Sequence, residues 1–217
     1  MSSWDQGMLV APREIERQSF KIIGEELGPH AMDPLTELVV KRVIHATADF
    51  DFARTLVFSP HAIESGVEAL RGGASVVTDT TMAAAGINKR VLGGFGGQVH
   101  TFVADPQVAA EARERGVTRS MVSMEHAARL EGPLVFAIGN APTALVALHE
   151  LLEAGRMELP ELIVAVPVGF VNVVESKELV LGMAPEHIVA RGRKGGSGVA
   201  AAICNALLYI ASNDRRE

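Results

Sequence analysis

The residues best suited to chemistry fall in two settings: a histidine at the end of a helix, and four loops rich in glycine, asparagine and proline. His45 follows Lys41-Arg42-Val-Ile and precedes Ala46-Thr-Ala-Asp49. An imidazole titrates near neutral pH, so it can give and take a proton. Arg42, three residues earlier, shares its helical face and can offer a fork of donors to a carboxylate. The same placement has a structural reading, since a cation at a helix C-terminus is favoured by the macrodipole, and local sequence alone leans that way. The four loops are Thr78-Asp-Thr-Thr-Met82, Gly139-Asn-Ala-Pro-Thr143, Pro167-Val-Gly-Phe170 and Arg191-Gly-Arg-Lys-Gly-Gly-Ser197. Small residues let a backbone approach a ligand, and the N–H groups of a following helix face an anion. Together the loops point to an acidic small molecule, although Gly, Asn and Pro in any single loop could simply make a tight turn.

Other constellations fall short. The Gly192–Ser197 run lacks the Gly-Lys-Ser/Thr ending of a phosphate loop. Gly196-Ser-Gly198-Val-Ala-Ala201 fits a loose G-x-G-x-x-A spacing, but it lies near the C-terminus with no acid-bearing strand to follow, so a nicotinamide enzyme is only the runner-up. No histidine and carboxylate set has metal spacing, and no serine sits in a nucleophile elbow. His61, His126, His149 and His187 read as surface or capping residues, and Cys204, in an apolar helix, reads as an inert core thiol.

The elements that must position these residues are legible from residue 53 onward. Thr55–Phe58, Ser75–Val77, Val99–Val103, Leu134–Ile138, Leu162–Val166 and the shorter His187–Ala190 are runs without polar alternation, as expected of strands buried on both faces. Asp33-Pro34, Ser59-Pro60 and Asp105-Pro106 each place a capping oxygen before a proline, and Gly72, Gly116 and Gly155 mark helix stops. Strands separated by helices imply crossover connections. The expected fold is therefore three-layer α/β/α with a mostly parallel sheet, a single domain over 1–217. Two helices precede the alternation: about Pro12 to Leu27, with Ile15, Ile22, Ile23 and Leu27 on one stripe, and Pro34 to about Thr47. The last helix, Ser197 to about Ser212, is apolar almost all round and should be buried; Asn213 to Glu217 is expected to fray. In such a sheet ligands bind beyond the carboxyl ends of the strands, where the four loops lie.

Composition narrows the function classes. The 217 residues suit one compact core, and 48% hydrophobic against 21% charged residues excludes intrinsic disorder. Mean hydropathy is +0.22. A net charge of -6 argues against a general nucleic-acid or acidic-membrane binder, which needs a dominant basic field. No apolar run approaches the ~18 residues of a membrane span. The N-terminus lacks the basic and apolar regions of a signal peptide, and one cysteine forms no internal disulfide, so the expected compartment is reducing and cytoplasmic.

Eight segments occur together, in order and over nearly the whole chain: Ile15-Glu-Arg-Gln-Ser-Phe20, Arg42-Val-Ile-His45, Phe58-Ser-Pro60, Thr118-Arg-Ser120, Gly139-Asn-Ala-Pro-Thr-Ala-Leu145, Pro167-Val-Gly-Phe-Val171, Glu175-Ser-Lys177 and Gly192-Arg-Lys-Gly-Gly-Ser197. In that combination the sequence resembles the precorrin-8X methylmutase family, which includes cobalt-precorrin-8 methylmutases. Ala48 stands where relatives often have glycine. The resemblance implies an isomerase of cobalamin biosynthesis that moves a methyl group from C11 to C12 of a corrinoid precursor, with no redox change and no cofactor. It casts His45 as the acid that protonates the macrocycle and eases a sigmatropic shift, reversing the local reading of that residue. Ser19 and Arg42 match substrate-contacting positions; Arg119, Asn140, Thr143, Lys177, Lys194 and Ser197 are further candidates, with structural ion pairs the alternative for Arg119 and Lys177. The resemblance also implies a homodimer with its active site near the subunit boundary. A non-catalytic corrinoid carrier remains a third reading, and the sequence leaves open whether the substrate contains cobalt.

Overall fold

The structure, a computed structural model, describes residues 12–213, with side chains from Glu14 onward. The expectations for the first residues and for the tail beyond Asn213 lie outside the described residues. In chain order the elements are α1 (Pro12–Leu27), α2 (Pro34–Thr47), α3 (Phe52–Thr55), β1 (Leu56–Phe58), α4 (Ala62–Arg71), β2 (Ser75–Thr78), α5 (Thr81–Gly86), α6 (Lys89–Gly94), β3 (Val99–His100), α7 (Pro106–Arg115), α8 (Arg119–Ala127), β4 (Leu134–Ile138), α9 (Pro142–Glu153), β5 (Leu162–Ala165), α10 (Val173–Val180), β6 (His187–Ala190) and α11 (Ser197–Ala211). The strands form one sheet in the order β1-β6-β5-β4-β2-β3. All pairings are parallel except β1 with β6, where Leu56 opposes Ala190 and Phe58 opposes Ile188.

Successive residues of each central strand enter different cores, as the period of two requires. Val76, Val135, Ala137, Leu162, Val164, Ile188 and Ala190 pack with the buried residues of α2, α4 and α11. Val77, Phe136, Ile138, Ile163, Ala165 and Val189 pack with those of α8, α9 and α10. Helices thus cover both faces, which is why these strands read as unbroken apolar runs. The last helix is buried over most of its circumference, Ala200, Ile203, Leu207 and Leu208 being inaccessible to solvent.

Several expectations need correction. The Val99–Val103 run forms a strand only at Val99 and His100. Asp33 and Asp105 cap α2 and α7 as expected, Asp33 accepting from the N–H of Leu35 at 3.0 Å and of Thr36 at 3.1 Å. Ser59 does not cap α4: its hydroxyl donates to Glu186 and accepts from the His187 N–H at 2.8 Å, tying β1 to the start of β6. His187 is not a surface residue but buried at 8% exposure, with Nδ1 3.0 Å from the Pro185 carbonyl. On α1 the apolar stripe splits, since Ile23 is buried while Ile15 and Ile22 are about half exposed, at 51% and 53%.

Helix α2 carries the candidate acid. Its inward face is Val39, Val40, Val43 and Ile44, all buried, which leaves His45 exposed on the last turn. The helix stops at Ala48, whose φ of 53° is left-handed and whose N–H donates to the Ile44 carbonyl at 2.7 Å. A Cβ is unfavourable in that conformation, so the backbone at this position prefers glycine. Ala48→Gly is expected to raise stability by roughly 1 kcal/mol, read as a higher denaturant midpoint with unchanged m-value.

Candidate active site

The antiparallel β1 decides where His45 ends up. Because β1 runs against β6, its first residue lies beside the end of β6, and the α2–α3 segment before it reaches the carboxyl edge of the sheet. The Arg191 N–H donates to the Thr55 carbonyl at 2.8 Å, closing that junction. Lys194, in the loop after β6, reaches across to the carboxylates of Asp49 at 2.6 Å and Asp51 at 2.7 Å, just beyond the last turn of α2. Its ammonium holds both carboxyls below the usual carboxylate range.

The His45 ring lies 5.3 Å from that of Phe20 on α1, centroid to centroid. The Arg42 guanidinium stands 4.6 Å from the Phe20 centroid and 5.1 Å from that of Tyr209, and it is paired with Glu16. Phe20 is therefore shared between the candidate acid and the candidate carboxylate holder. Ser19, the neighbour of Phe20, is half-buried and donates to the Ile15 carbonyl at 2.8 Å.

The loops after β2, β4, β5 and β6 converge at the same edge. Asp79, almost wholly buried, accepts from the N–H groups of Gly139 at 2.9 Å, Asn140 at 2.8 Å and Ala141 at 2.6 Å. Burial pushes its carboxyl above the usual range, opposed by these three donors. The loop after β6 is sewn to the loop after β5 by the Gly169 N–H on the Arg193 carbonyl at 3.1 Å and the Gly196 N–H on the Val166 carbonyl at 2.8 Å. The hydroxyls of Ser197 and Thr80 meet at 2.8 Å. Helix α11 starts at Gly196 without a side-chain cap, so its first N–H groups face this edge uncapped, as an anion-binding helix start does, whereas at the start of α9 Asp79 takes the Ala141 N–H and Pro142 has none to offer.

The remaining candidates divide by task. Asn140 and Arg119 are exposed, and Thr143 is half-buried with its hydroxyl accepting from Thr118 at 3.0 Å. Among the described residues Arg119 has no ion-pair partner. Lys177 lies at 0% exposure, its ammonium donating at 2.8 Å to the carbonyls of Gly192 and Lys194; it is neither a surface ion pair nor an open substrate contact. Burial pushes that ammonium down to about 8. Cys204 is buried in α11 with its thiol pushed up to about 12, which leaves essentially no thiolate at neutral pH. Sequence reasoning did not single out Phe20, Tyr209, Asp79, Asp49 or Asp51. Only the aspartate in Thr78-Asp-Thr carried a local signal, a carboxylate set directly at the end of an apolar strand.

Two surface cavities bear on the choice of site. One of about 810 Å³, lined by Leu130, Pro133, Arg156, Leu159 and Pro160 among others, opens at the amino ends of β4 and β5, the edge opposite the converging loops. Another of about 770 Å³ lies between α1 and α2 and is lined by Arg17, Phe20, Lys21, Leu38 and Lys41 among others. Only the second is lined by Phe20; His45 does not line it, and its basic side chains Arg17, Lys21 and Lys41 are accompanied by the carboxylates of Asp33 and Glu37.

Fold and site define an α/β enzyme in which the carboxyl edge of the sheet brings one exposed imidazole together with an open helix start and basic groups. The chain belongs to the precorrin-8X methylmutase family, which it matches over residues 14–210, a family of isomerases that move a methyl group within one molecule. It is 46% identical over 206 residues to the cobalt-precorrin-8 methylmutase of Salmonella typhimurium, covering 91% of this chain and 95% of that protein. It is 42% identical over 196 residues to the precorrin-8X methylmutase of Pseudomonas aeruginosa, covering 89% and 93%. The crystal structure of precorrin-8X methylmutase from Thermus thermophilus superposes with a TM-score of 0.85 at 40% identity, covering 93% of this chain and 97% of that one. Among the described residues no helix is long and apolar enough to cross a membrane.

Asp79 is the point at which the edge is most vulnerable. Asp79→Ala leaves three inward N–H groups without an acceptor, and is expected to cost about 3 kcal/mol. Amide hydrogen exchange should accelerate selectively at Gly139, Asn140 and Ala141.

Proposed function

We propose that this chain transfers the methyl group from C11 to C12 of precorrin-8X or of its cobalt-containing counterpart, and that His45 is the acid. The observation that supports this most is the placement of His45: it is exposed at the carboxyl edge, backed by Phe20 and followed by the turn that Lys194 clamps. Proton transfer from His45 makes the conjugated ring electron-poor. The methyl then migrates with its bonding pair to the adjacent carbon, and the proton returns to the imidazole, so atoms and electrons balance with no oxidant or reductant. General acid catalysis of this kind contributes roughly two to four orders of magnitude. The rest is assigned to holding the ring in one geometry and polarising it.

The acetate and propionate arms of such a substrate suit Arg42, Arg119 and the uncapped start of α11, with Ser19, Asn140 and Thr143 as polar contacts. Lys177, Lys194 and Ser197 bond to other protein groups and act through the loops they hold. Met82, Val168, Phe170 and Val171 are exposed apolar residues on these same loops, at 71%, 47%, 82% and 76%. A clustered apolar face of this kind suits a two-fold homodimer with the active site near the subunit boundary. The expected setting is the cytoplasm, where the pathway's small substrates are made.

The experiment is to mix the protein with precorrin-8X and with cobalt-precorrin-8 separately and follow the absorption spectrum. An isomerase converts one of them progressively to the product spectrum, whereas a carrier gives an immediate shift and no turnover. His45→Ala is expected to keep the fold and product binding and to lose about 100-fold or more in kcat. Arg42→Ala is expected to weaken binding more than it slows the bound-state reaction. Near-normal turnover by His45→Ala would move the acid elsewhere.

A further inference from the structure

Lys177 is the buried cation that the methyl transfer does not use. It lies on α10 with no solvent exposure and, among the described residues, no carboxylate partner; its hydrogen bonds go to main-chain carbonyls of one loop, at Gly192 and Lys194. A buried ammonium is costly, and two neutral carbonyls compensate only part of that cost. An apolar side chain of similar length would fill the same space without it, so packing alone does not account for a lysine.

What the two bonds accomplish is to hold the backbone of the loop on both sides of Arg193. The side chain of Lys194 leaves that held backbone in the other direction and clamps Asp49 and Asp51. Two cations thus act in series, one buried and one exposed, running from α10 to the turn that follows His45. We propose that Lys177 is a positioning residue for His45: it fixes the 191–196 loop in the shape from which Lys194 neutralises and anchors the Asp49–Asp51 turn. This rests on the reading of His45 as the acid, and it adds a group remote from the substrate on which that acid depends.

The charged groups grouped around the end of α2 are Arg42 with Glu16, and Asp49 and Asp51 with Lys194 and Arg54. When the loop loses its anchor, Lys194 no longer holds the two aspartates, and the turn that follows His45 is released.

The test uses the full chain with Lys177→Met, Lys177→Gln and Lys194→Ala. Replacing a buried charge by an apolar residue of similar volume is often neutral for stability, and Lys194 is exposed, so the fold should survive. The expected result is a kcat lower by roughly tenfold or more with little change in the product dissociation constant, as for a misplaced catalytic group. The His45 ring resonances, followed by NMR at one fixed pH without substrate, should move in all three variants as the ring is displaced against Phe20. Lys177→Met combined with Lys194→Ala should lose little more than the worse single variant, because both break one path. A kcat within about twofold of the parent for Lys177→Met and Lys177→Gln, unmoved His45 resonances, or additive losses would each overturn the proposal. Absence of turnover by the parent chain on either corrinoid would instead overturn the methylmutase reading, while the His45 resonances would still decide the coupling.

Discussion

The reacting edge depends on how closely its loops approach one another. A Cβ at Gly195 would lie 2.1 Å from the Val166 carbonyl oxygen, and one at Gly139 would lie 2.7 Å from the Cα of Ser197. Neither position tolerates a side chain, because the obstacle in each case is backbone. The contacts that follow need this closeness. The Gly196 N–H reaches Val166, the Ser197 hydroxyl reaches Thr80, and Asp79 gathers the three N–H groups at the start of α9. The glycines first noticed as room for a ligand serve at these two points to bring protein against protein.

Upon that closed edge the single antiparallel pairing delivers His45, the proposed acid. A parallel β1 would carry the end of α2 to the opposite side of the sheet, far from the loops. As built, β1 leaves the α2–α3 turn beside the end of β6, where the loop carrying Lys194 can reach it. The buried lysine on α10 and the exposed lysine on the loop then connect a helix on one face of the sheet to the histidine-bearing helix on the other. The hydrophobic layers supply rigidity, and the polar ties set position.

Much of this architecture was legible because its signals are local. Six apolar runs lacking alternation marked the strands, and the expected double burial holds for β2, β4, β5 and β6 but not for the half-buried β1 and β3; the bounds of α1 and α2 followed from Pro12, Asp33-Pro34 and the end of periodicity near Thr47. What was not legible depends on partners distant in sequence. Ser59-Pro60 has the form of a helix cap, yet the serine bonds to Glu186 and His187, 127 and 128 residues away. Lys177 looked like a surface lysine in Glu175-Ser-Lys177 because nothing nearby in sequence shows that its carbonyl partners lie 15 and 17 residues on. Phe20 is inconspicuous on α1 until α2 crosses it and sets Arg42 and His45 against its ring.

The central claim is that the corrinoid lies on the carboxyl edge of the sheet with its migrating methyl beside His45. The most direct measurement is a crystal structure of the protein with its corrinoid product. The account expects the C11–C12 side of the ring facing His45, with an imidazole nitrogen within hydrogen-bond reach of the ring system, about 3 Å, and acidic arms directed to Arg42 and the start of α11. A ring seated instead in the cavity at the amino ends of β4 and β5, beside Pro133 and Pro160, or a ring on the carboxyl edge with His45 turned away from it, would contradict the account.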